Sequence, residues 1–118
     1  MKLIRTRIRD PHPLPQPQLY KVVAEVTAAL HAVSPSYQTS VCVAWSADAI
    51  DGRAYDYKGL ADAASLLYIM DYGTRSQILT QCIASANAPL PGTVKGIQSY
   101  LNLGIPASKL LRGIGMDS

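Results

Sequence analysis

The stretch Leu66-Leu67-Tyr68-Ile69-Met70-Asp71-Tyr72-Gly73 (LLYIMDYG) decides the fold, because five apolar residues run directly into an acid, a phenol and a glycine. A short apolar run that is stopped by glycine is typical of a parallel strand covered on both faces. In α/β folds, binding and catalytic residues lie at the carboxyl ends of such strands. The stretch therefore predicts a buried parallel strand. Its exit at Asp71, Tyr72 and Gly73 is either a functional position or an ordinary polar end.

The rest of the chain alternates between helical and strand patterns. Apolar residues recur three and four positions apart from Leu19 to Val33, which predicts an amphipathic helix that ends before Pro35. The other predicted elements are a strand over 41–45, irregular chain over 48–58, a brief helix over 60–64, a helix over about 93–103 with Val94, Ile97 and Leu101 facing inward, and a strand from 109 that is interrupted after 111. Such alternation predicts parallel βαβ units, either in an open doubly wound sheet or in part of a barrel.

Composition divides the chain into three parts. Residues 1–18 form a basic, proline-rich arm, in which prolines at alternate positions from Pro11 to Pro17 predict an extended linker. Residues 19–111 carry the helix and strand patterns and form the predicted domain. Residues 112–118 are predicted to be a C-terminal tail.

The 118 residues are 48% hydrophobic and 16% charged, a composition suited to one small globular core. Much of the formal net charge of +3 comes from the basic residues of the arm. We therefore expect no nucleic-acid partner, which would require Lys and Arg clustered on one face of the folded part. No apolar run approaches the ~20 residues that cross a bilayer, and no secretory signal is evident. We expect no membrane partner, and the sequence leaves the compartment open.

The residue types that bind metals are scattered. Cys42 and Cys82, the two cysteines, stand far apart without a neighbouring histidine, and His12 and His31 have no ligand spacing. This pattern does not support a metal site. No glycine-rich phosphate-binding pattern follows a predicted strand, which disfavours a nucleotide-binding fold. We therefore expect neither a metal nor a cofactor.

Five motifs occur in an order and at spacings that resemble one enzyme family. They are VAWS (43–46), the Tyr57-x-Gly59-x-Ala61-Asp62 segment, IMDY (69–72), CIASANAPL (82–90) and GIPASKLL (104–111). Together they resemble the chitobiase branch of glycoside hydrolase family 18, a chitinase-like family, over about residues 19–111. The resemblance implies an α/β fold that is a partial (β/α)8 TIM barrel, similar to strands five to seven with flanking helices, and it matches residues 112–118 to the eighth-strand region. The resemblance also implies that the partner is an oligosaccharide of N-acetylglucosamine, either of chitin type or from the N-glycan core. The family that the chain resembles is lysosomal.

The same resemblance assigns roles at the strand exit. The family ends its sixth strand in a Met-x-Tyr-Asp pattern, and Met70 and Tyr72 match its Met and Tyr, which line the sugar subsite beside the scissile bond. In these enzymes the tyrosine hydroxyl hydrogen-bonds the N-acetyl group of the substrate, whose oxygen is the nucleophile, an exception to the two-carboxylate scheme. Gly73 stands where the family has Asp. Because strand residues alternate, Asp71 is expected to point away from the side that Met70 and Tyr72 share.

Two further substrate-binding candidates each have a structural alternative. Trp45, at the exit of the predicted strand over 41–45, could stack on a sugar ring or could pack in the core. Asn87 lies in the predicted long connection over 73–92, and long loops in compact domains tend to be functional. Its amide could bind a sugar hydroxyl or could hold the turn of its own loop.

The residue that should donate a proton to the leaving group has no counterpart. The family carries a DxxDxDxE motif at the end of strand four, and its last Glu is the acid. The chain contains no such motif before Leu19, and its single glutamate, Glu25, falls in the middle of a predicted helix. We identify no catalytic residue. We expect a chitobiase-like fragment that is inactive as written, with a non-catalytic half-barrel that binds sugars or proteins, or an unrelated small α/β module, as alternatives.

A closed (β/α)8 barrel takes about 250 residues, because eight strands must close on themselves. A chain with strands resembling only five, six and the start of seven cannot close in this way. Its exposed sheet edges and uncovered helix faces predict self-association or aggregation.

Overall fold

The structure is a computed structural model, and it describes residues 18–48, 54–73 and 86–115. Helices and strands alternate in these ranges, as predicted. The elements are α1 (Leu19–Val33), β1 (Ser40–Val43), α2 (Tyr57–Ala63), β2 (Leu66–Asp71), α3 (Leu90–Asn102) and β3 (Leu110–Ile114), with a 3₁₀ turn at Ala107–Lys109 before β3. Residues 1–17 of the predicted arm, Cys82 and residues 116–118 lie outside the described residues.

The three described strands form one parallel sheet in the order β1-β2-β3. Leu67 in the middle strand pairs with Val41 on one side and Leu110 on the other. Strands that follow each other in the chain are therefore neighbours, as expected for βαβ connections. The prediction of a parallel strand at LLYIMDYG is confirmed, but only one of its two faces is fully buried.

One face of the sheet packs against the helices and forms the core. Leu67 and Ile69 are fully buried on this face, whereas the alternate residues Leu66, Tyr68 and Met70 are half-buried on the opposite face. The buried residues that meet this side are Val43, Tyr57, Leu60, Ala61, Tyr100 and Ile105. The rings of Tyr57 and Tyr100 meet edge to face, with their centroids 5.3 Å apart. This arrangement is favourable for aromatic quadrupoles.

Helix α2 begins earlier than predicted. Its first residue is Tyr57 rather than residue 60, so part of the segment predicted to be irregular is helical. The cause is a local cap: the Asp56 carboxylate accepts a hydrogen bond from the backbone N–H of Gly59 at 2.8 Å. Aspartate at this position satisfies an amide that would otherwise lack a partner in the first turn.

The C-terminal end of α2 is held by a distant residue. The Lys109 ammonium donates hydrogen bonds to the carbonyl oxygens of Ala61 and Ala64, the latter at 3.1 Å. A cation at this end of a helix satisfies free carbonyl groups and complements the helix dipole. Lys109 thereby connects the start of β3 to the end of α2.

Helix α3 also begins before its predicted start. Leu90, Pro91 and Gly92 form its first turn, although they were predicted as loop. Proline is tolerated there because the first amides of a helix have no intrahelical acceptor. The predicted end is confirmed: Gly104 has φ +78° and its N–H donates to the Leu101 carbonyl.

The inward faces of two helices differ from the prediction. In α3 the buried residues are Thr93, Gly96 and Tyr100, while Val94 is exposed rather than inward. Tyr20 and Val23 of α1 pack against the core, but no residue of this helix is fully buried. The apolar face of α1 is thus wider than the surface it covers, and it leaves several valines in solvent.

The strand predicted to stop at Leu111 continues. β3 includes Arg112, Gly113 and Ile114, and it pairs with β2 up to Asp71. A side chain at 113 would collide with the ring of Tyr68, which lies across this glycine. Glycine at 113 therefore allows the tyrosine to cross β3. Residues 112–114, which were predicted to belong to the tail, are therefore part of β3. For residues 116–118 the tail stays a prediction.

The burial of Tyr100 predicts that the folded chain loses stability at alkaline pH. Burial raises the pKa of its phenol far above the usual range, and the neighbouring Tyr57 raises the pKa further. The hydroxyl donates to the Ala44 carbonyl at 2.6 Å, so the folded state keeps the proton. Below about pH 10 both folded and unfolded Tyr100 are neutral; above it only the unfolded state loses its proton, so stability falls as the pH rises.

The measurement is the urea concentration that unfolds half of the chain, followed by Trp45 fluorescence at fixed protein concentration from about pH 8 to about pH 11. We expect the decline between these pH values to be smaller in Tyr100→Phe than in the wild type. Tyr37→Phe, which changes an exposed tyrosine, is expected to decline like the wild type. Equal declines in all three proteins would contradict the prediction.

Candidate substrate-binding site

The exit of β2 separates its side chains onto two sides. Met70 pairs with Gly113 and is half-buried on the face away from the helices. Tyr72 follows on that same side, where its Cβ lies close to Gly115, and it is 38% exposed. Asp71 points the opposite way, toward α3, and is 1% exposed. The predicted division, with Met70 and Tyr72 on one side and Asp71 on the other, matches this geometry.

The buried carboxylate of Asp71 joins three elements. Its Oδ2 accepts hydrogen bonds from Thr93 Oγ1 of α3 at 2.6 Å and from Arg112 Nε of β3 at 2.6 Å. Arg112 Nη2 in turn donates to Thr93 Oγ1 at 3.1 Å. The other carboxylate oxygen, Oδ1, is buried without a hydrogen-bond partner among the described residues. A buried charge needs such partners, because an unpaired carboxylate would be costly to desolvate.

A second contact fixes the residue after Tyr72. Gly73 has φ +59°, a left-handed conformation that glycine adopts without steric cost. Its N–H donates a hydrogen bond to the side-chain oxygen of Asn87. The Asn87 amide nitrogen lies beside Gly115, where a Cβ would come within 2.4 Å of it. Asn87 therefore links the exit of β2 to the exit of β3, and this contact supports the loop-holding alternative. The sugar-binding alternative for Asn87 stays a prediction.

Trp45 lies against α3. A Cβ at Gly96 would be 3.2 Å from Cε3 of its ring and 2.1 Å from its carbonyl oxygen, so the helix approaches the strand exit very closely here. The indole N–H is buried without a partner among the described residues. These contacts support the packing alternative, and the stacking role of Trp45 stays a prediction.

A serine pair next to Trp45 secures the same junction. Ser46 is fully buried, and its hydroxyl lies 3.1 Å from that of Ser99 in α3. Ser99 Oγ also accepts the Ala47 N–H at 2.8 Å and donates to the Gly96 carbonyl at 2.6 Å. The exit of β1 is thus hydrogen-bonded to the C-terminal half of α3.

A cavity of about 200 Å³ opens at the β1 side of the sheet. Met70 is the one candidate residue in its lining. The rest of the lining is mostly apolar or aromatic: Leu19, Val41, Cys42, Val43, Ala44, Tyr55, Tyr57 and Leu60. The structure therefore brings Met70 and Tyr72 to one side of the sheet, but it does not gather all four candidates around one cavity.

Two other kinds of feature are absent from the described ranges. Among residues 18–48, 54–73 and 86–115, no group of three or more His, Cys, Asp or Glu residues is placed to hold a metal ion. None of the helices described there has the length and apolar character to cross a membrane. His31 packs locally, with its Nε2 at 2.9 Å from the Tyr37 carbonyl oxygen.

The partners of Asp71 are the part of the site that the sequence patterns missed. The sequence patterns predict Arg112 in a tail and Thr93 only at the start of a helix, so they predict neither residue near Asp71. No local pattern in the sequence indicates this contact: Arg112 shares the face of Asp71 because residues 69 and 112 are paired in the register of the sheet.

Curated proteins similar to the chain share one name. The match is 44% identical over 96 residues with the di-N-acetylchitobiase of Rattus norvegicus, 81% of this chain and 26% of the relative. It is 41% identical over 96 residues with that of Homo sapiens, 81% of this chain and 25% of the relative. A probable di-N-acetylchitobiase 2 of Dictyostelium discoideum is 39% identical over 99 residues, 82% of this chain and 26% of the relative.

The chain is a homologue of di-N-acetylchitobiases. It spans about a quarter of the length of the relatives it matches. A crystal structure of a chitinase from Chromobacterium violaceum has a similar fold, with a TM-score of 0.62 and 24% identity over 84% of this chain and 32% of that one. No protein-family model matches the chain. The predicted resemblance to chitobiases is therefore confirmed, while the roles of individual residues in this homologue stay predictions.

Proposed function

We propose that the chain is a segment of a chitobiase-type glycoside hydrolase, and that β1, β2 and β3 are consecutive strands of a (β/α)8 barrel of glycoside hydrolase family 18. The proposed ligand is an oligosaccharide of N-acetylglucosamine. The observation that carries the proposal is the exposed Tyr72 beside Met70 at the carboxyl end of a parallel strand, in a chain related to di-N-acetylchitobiases.

The chemistry of Tyr72 suits an N-acetyl group. Its phenol can donate to an amide carbonyl, and its ring and the Met70 thioether can contact the apolar face and methyl group of the sugar. The carboxyl ends of parallel strands are the usual position for such residues. Tyr72 therefore has the role of orienting the acetamido group.

A second function is supported by the position of Glu25. This single glutamate of the sequence is exposed in the middle of α1 and does not lie at the end of a strand. The chain by itself would then bind the oligosaccharide without cleaving it, as a non-catalytic half-barrel. In both functions the oligosaccharide binds at Tyr72. They differ in whether the oligosaccharide is then cleaved.

The direct test is titration of the chain with N,N′-diacetylchitobiose, followed by nuclear magnetic resonance. Tyr72→Phe removes the hydroxyl and keeps the ring, so we expect about 3- to 10-fold weaker binding, the value of one hydrogen bond. Tyr37→Phe is the matched control at an exposed tyrosine elsewhere and should bind like the wild type. Equal affinity of Tyr72→Phe and wild type would contradict the role of Tyr72, and an absence of wild-type binding would contradict the proposed function.

We also propose that the isolated chain self-associates. In the described sheet β1 and β3 each pair on one side. Large apolar side chains are exposed on the helices and on β3, among them Val22, Val26, Val33, Leu111 and Ile114. Unpaired edges and apolar patches favour association. Light scattering after size exclusion should give a mass that rises with concentration. A monomer that unfolds in one sharp urea transition would exclude this.

A further inference from the structure

We propose that Asp71 is a positioning residue for Tyr72, and that it acts through its bonds to Thr93 and Arg112. The inference rests on the proposed function only in the identity of the ligand that Tyr72 binds. The position of Tyr72 itself is a property of the fold and can be measured without a ligand.

The carboxylate of Asp71 fixes the end of β2 from the helix side. One oxygen, Oδ2, receives hydrogen bonds from α3 and from β3, each at 2.6 Å, so the strand end is tied to two neighbouring elements at one point. Charge-assisted hydrogen bonds of this length are stronger than neutral ones and hold a narrow geometry. The Asp71 side chain is 2% exposed, so water competes little for this oxygen.

Fixing Asp71 determines the direction of the next side chain. The peptide between residues 71 and 72 is planar, and successive side chains of an extended chain point to opposite faces. A strand end held on the helix side therefore presents Tyr72 on the other side. The following residue is held as well, because the Gly73 N–H donates to Asn87. Tyr72 thus lies between two anchored neighbours while its own ring is partly in solvent.

Such anchoring matters for recognition. A hydrogen bond weakens steeply when its angle departs from linearity, so a phenol in a fixed position binds an acceptor better than one that samples several positions. Anchoring before binding also reduces the ordering cost of the complex. The structure therefore assigns a binding consequence to a carboxylate that cannot itself reach a ligand on the far side of the sheet.

The experiment compares three changes in the full chain labelled with 3-fluorotyrosine. Asp71→Ala removes both hydrogen bonds, and Asp71→Asn keeps an oxygen for Thr93 and Arg112 but removes the charge. Thr93→Val removes one hydroxyl from the cluster and keeps its shape. Asp62→Ala is the matched control, because Asp62 pairs with Lys58 at the surface of α2. The ¹⁹F resonance of Tyr72 is assigned by its disappearance in Tyr72→Phe.

We expect Asp71→Ala to shift or broaden the Tyr72 resonance, with those of Tyr57 and Tyr100 unchanged, and to weaken binding of N,N′-diacetylchitobiose about 10-fold. Asp71→Asn should restore most of the wild-type Tyr72 resonance and most of the affinity. Thr93→Val should give values between those of Asp71→Ala and the wild type, and Asp62→Ala should match the wild type. If Asp71→Ala does not fold, Asp71→Asn and Thr93→Val carry the test.

Two results would overturn the inference. One is a Tyr72 resonance that is unchanged in every Asp71 and Thr93 variant. The other is a change of the Tyr57, Tyr72 and Tyr100 resonances together, which would mean that the hydrogen bonds of Asp71 only stabilise the fold. If the resonance changes as expected but the wild type binds no oligosaccharide, the positioning of Tyr72 stands and the proposed function is wrong.

Discussion

Gly96→Ala is expected to destabilise the contact between α3 and β1 by about 3 kcal/mol, at the upper end of the cost of overpacking. The added Cβ would lie 2.1 Å from the backbone carbonyl oxygen of Trp45. This oxygen belongs to the main chain and cannot rotate away as a flexible side chain would. The helix must therefore move from the sheet, which also weakens the Ser46–Ser99 contact at the same junction.

Gly92→Ala supplies the matched control for this prediction. It makes the same change in the same helix, but its Cβ would meet only Pro89 Cγ at an ordinary 3.6 Å. Because alanine favours the helix over glycine, we expect Gly92→Ala to be neutral or to stabilise α3 by up to about 1 kcal/mol. Hydrogen exchange, read by mass spectrometry for peptides from β1 and α3, measures both effects. Similar exchange in Gly96→Ala and Gly92→Ala would show that the close approach at Trp45 is not required.

The second large effect concerns catalysis: the chain is expected to release no measurable product from a fluorogenic chitobioside. Cleavage assisted by the acetamido group needs an acid that protonates the departing oxygen, and general acid catalysis contributes about 10²–10⁴ in rate. Asp71 is the carboxylate nearest in sequence to Tyr72, but it is buried on the helix side and bonded to Thr93 and Arg112. Glu25 is exposed on α1.

The assay compares the wild type, Tyr72→Phe and a protein-free blank between about pH 4 and about pH 7, the range in which carboxylic acids and histidines titrate. We expect all three to give the same rate. Turnover above the blank that also falls in Tyr72→Phe would reveal an acid elsewhere in the chain, and it would favour the hydrolase over the non-catalytic function.

Much of the fold follows from patterns that extend over several residues. The LLYIMDYG stretch predicts its strand and the side to which Asp71 points, because period-two alternation fixes both once one face is buried. The start of α3 was missed, because Pro91 and Gly92 are typical of loops and yet are compatible with a first helical turn. The apolar character of Val94 predicts that it faces inward, whereas the residue that is buried is Thr93, which bonds to Asp71 and Arg112.

The candidate site was less predictable for a related reason. The sides taken by Met70 and Tyr72 depend on local alternation, which the sequence contains. The cluster around Asp71 depends on strand register and on residues 22 and 41 positions away in the chain. A single sequence does not encode such pairings in any local pattern.

The link from Lys109 to α2 has a consequence for the order of events during synthesis. The carbonyl groups at the end of α2 receive the ammonium from a residue 45 and 48 positions later in the chain. While a ribosome is still making α3, β2 has β1 as its neighbour and the end of α2 lacks this donor. Domains fold as units as the chain emerges. The elements before α3 therefore lack both the third strand of the described sheet and this cap until β3 has emerged.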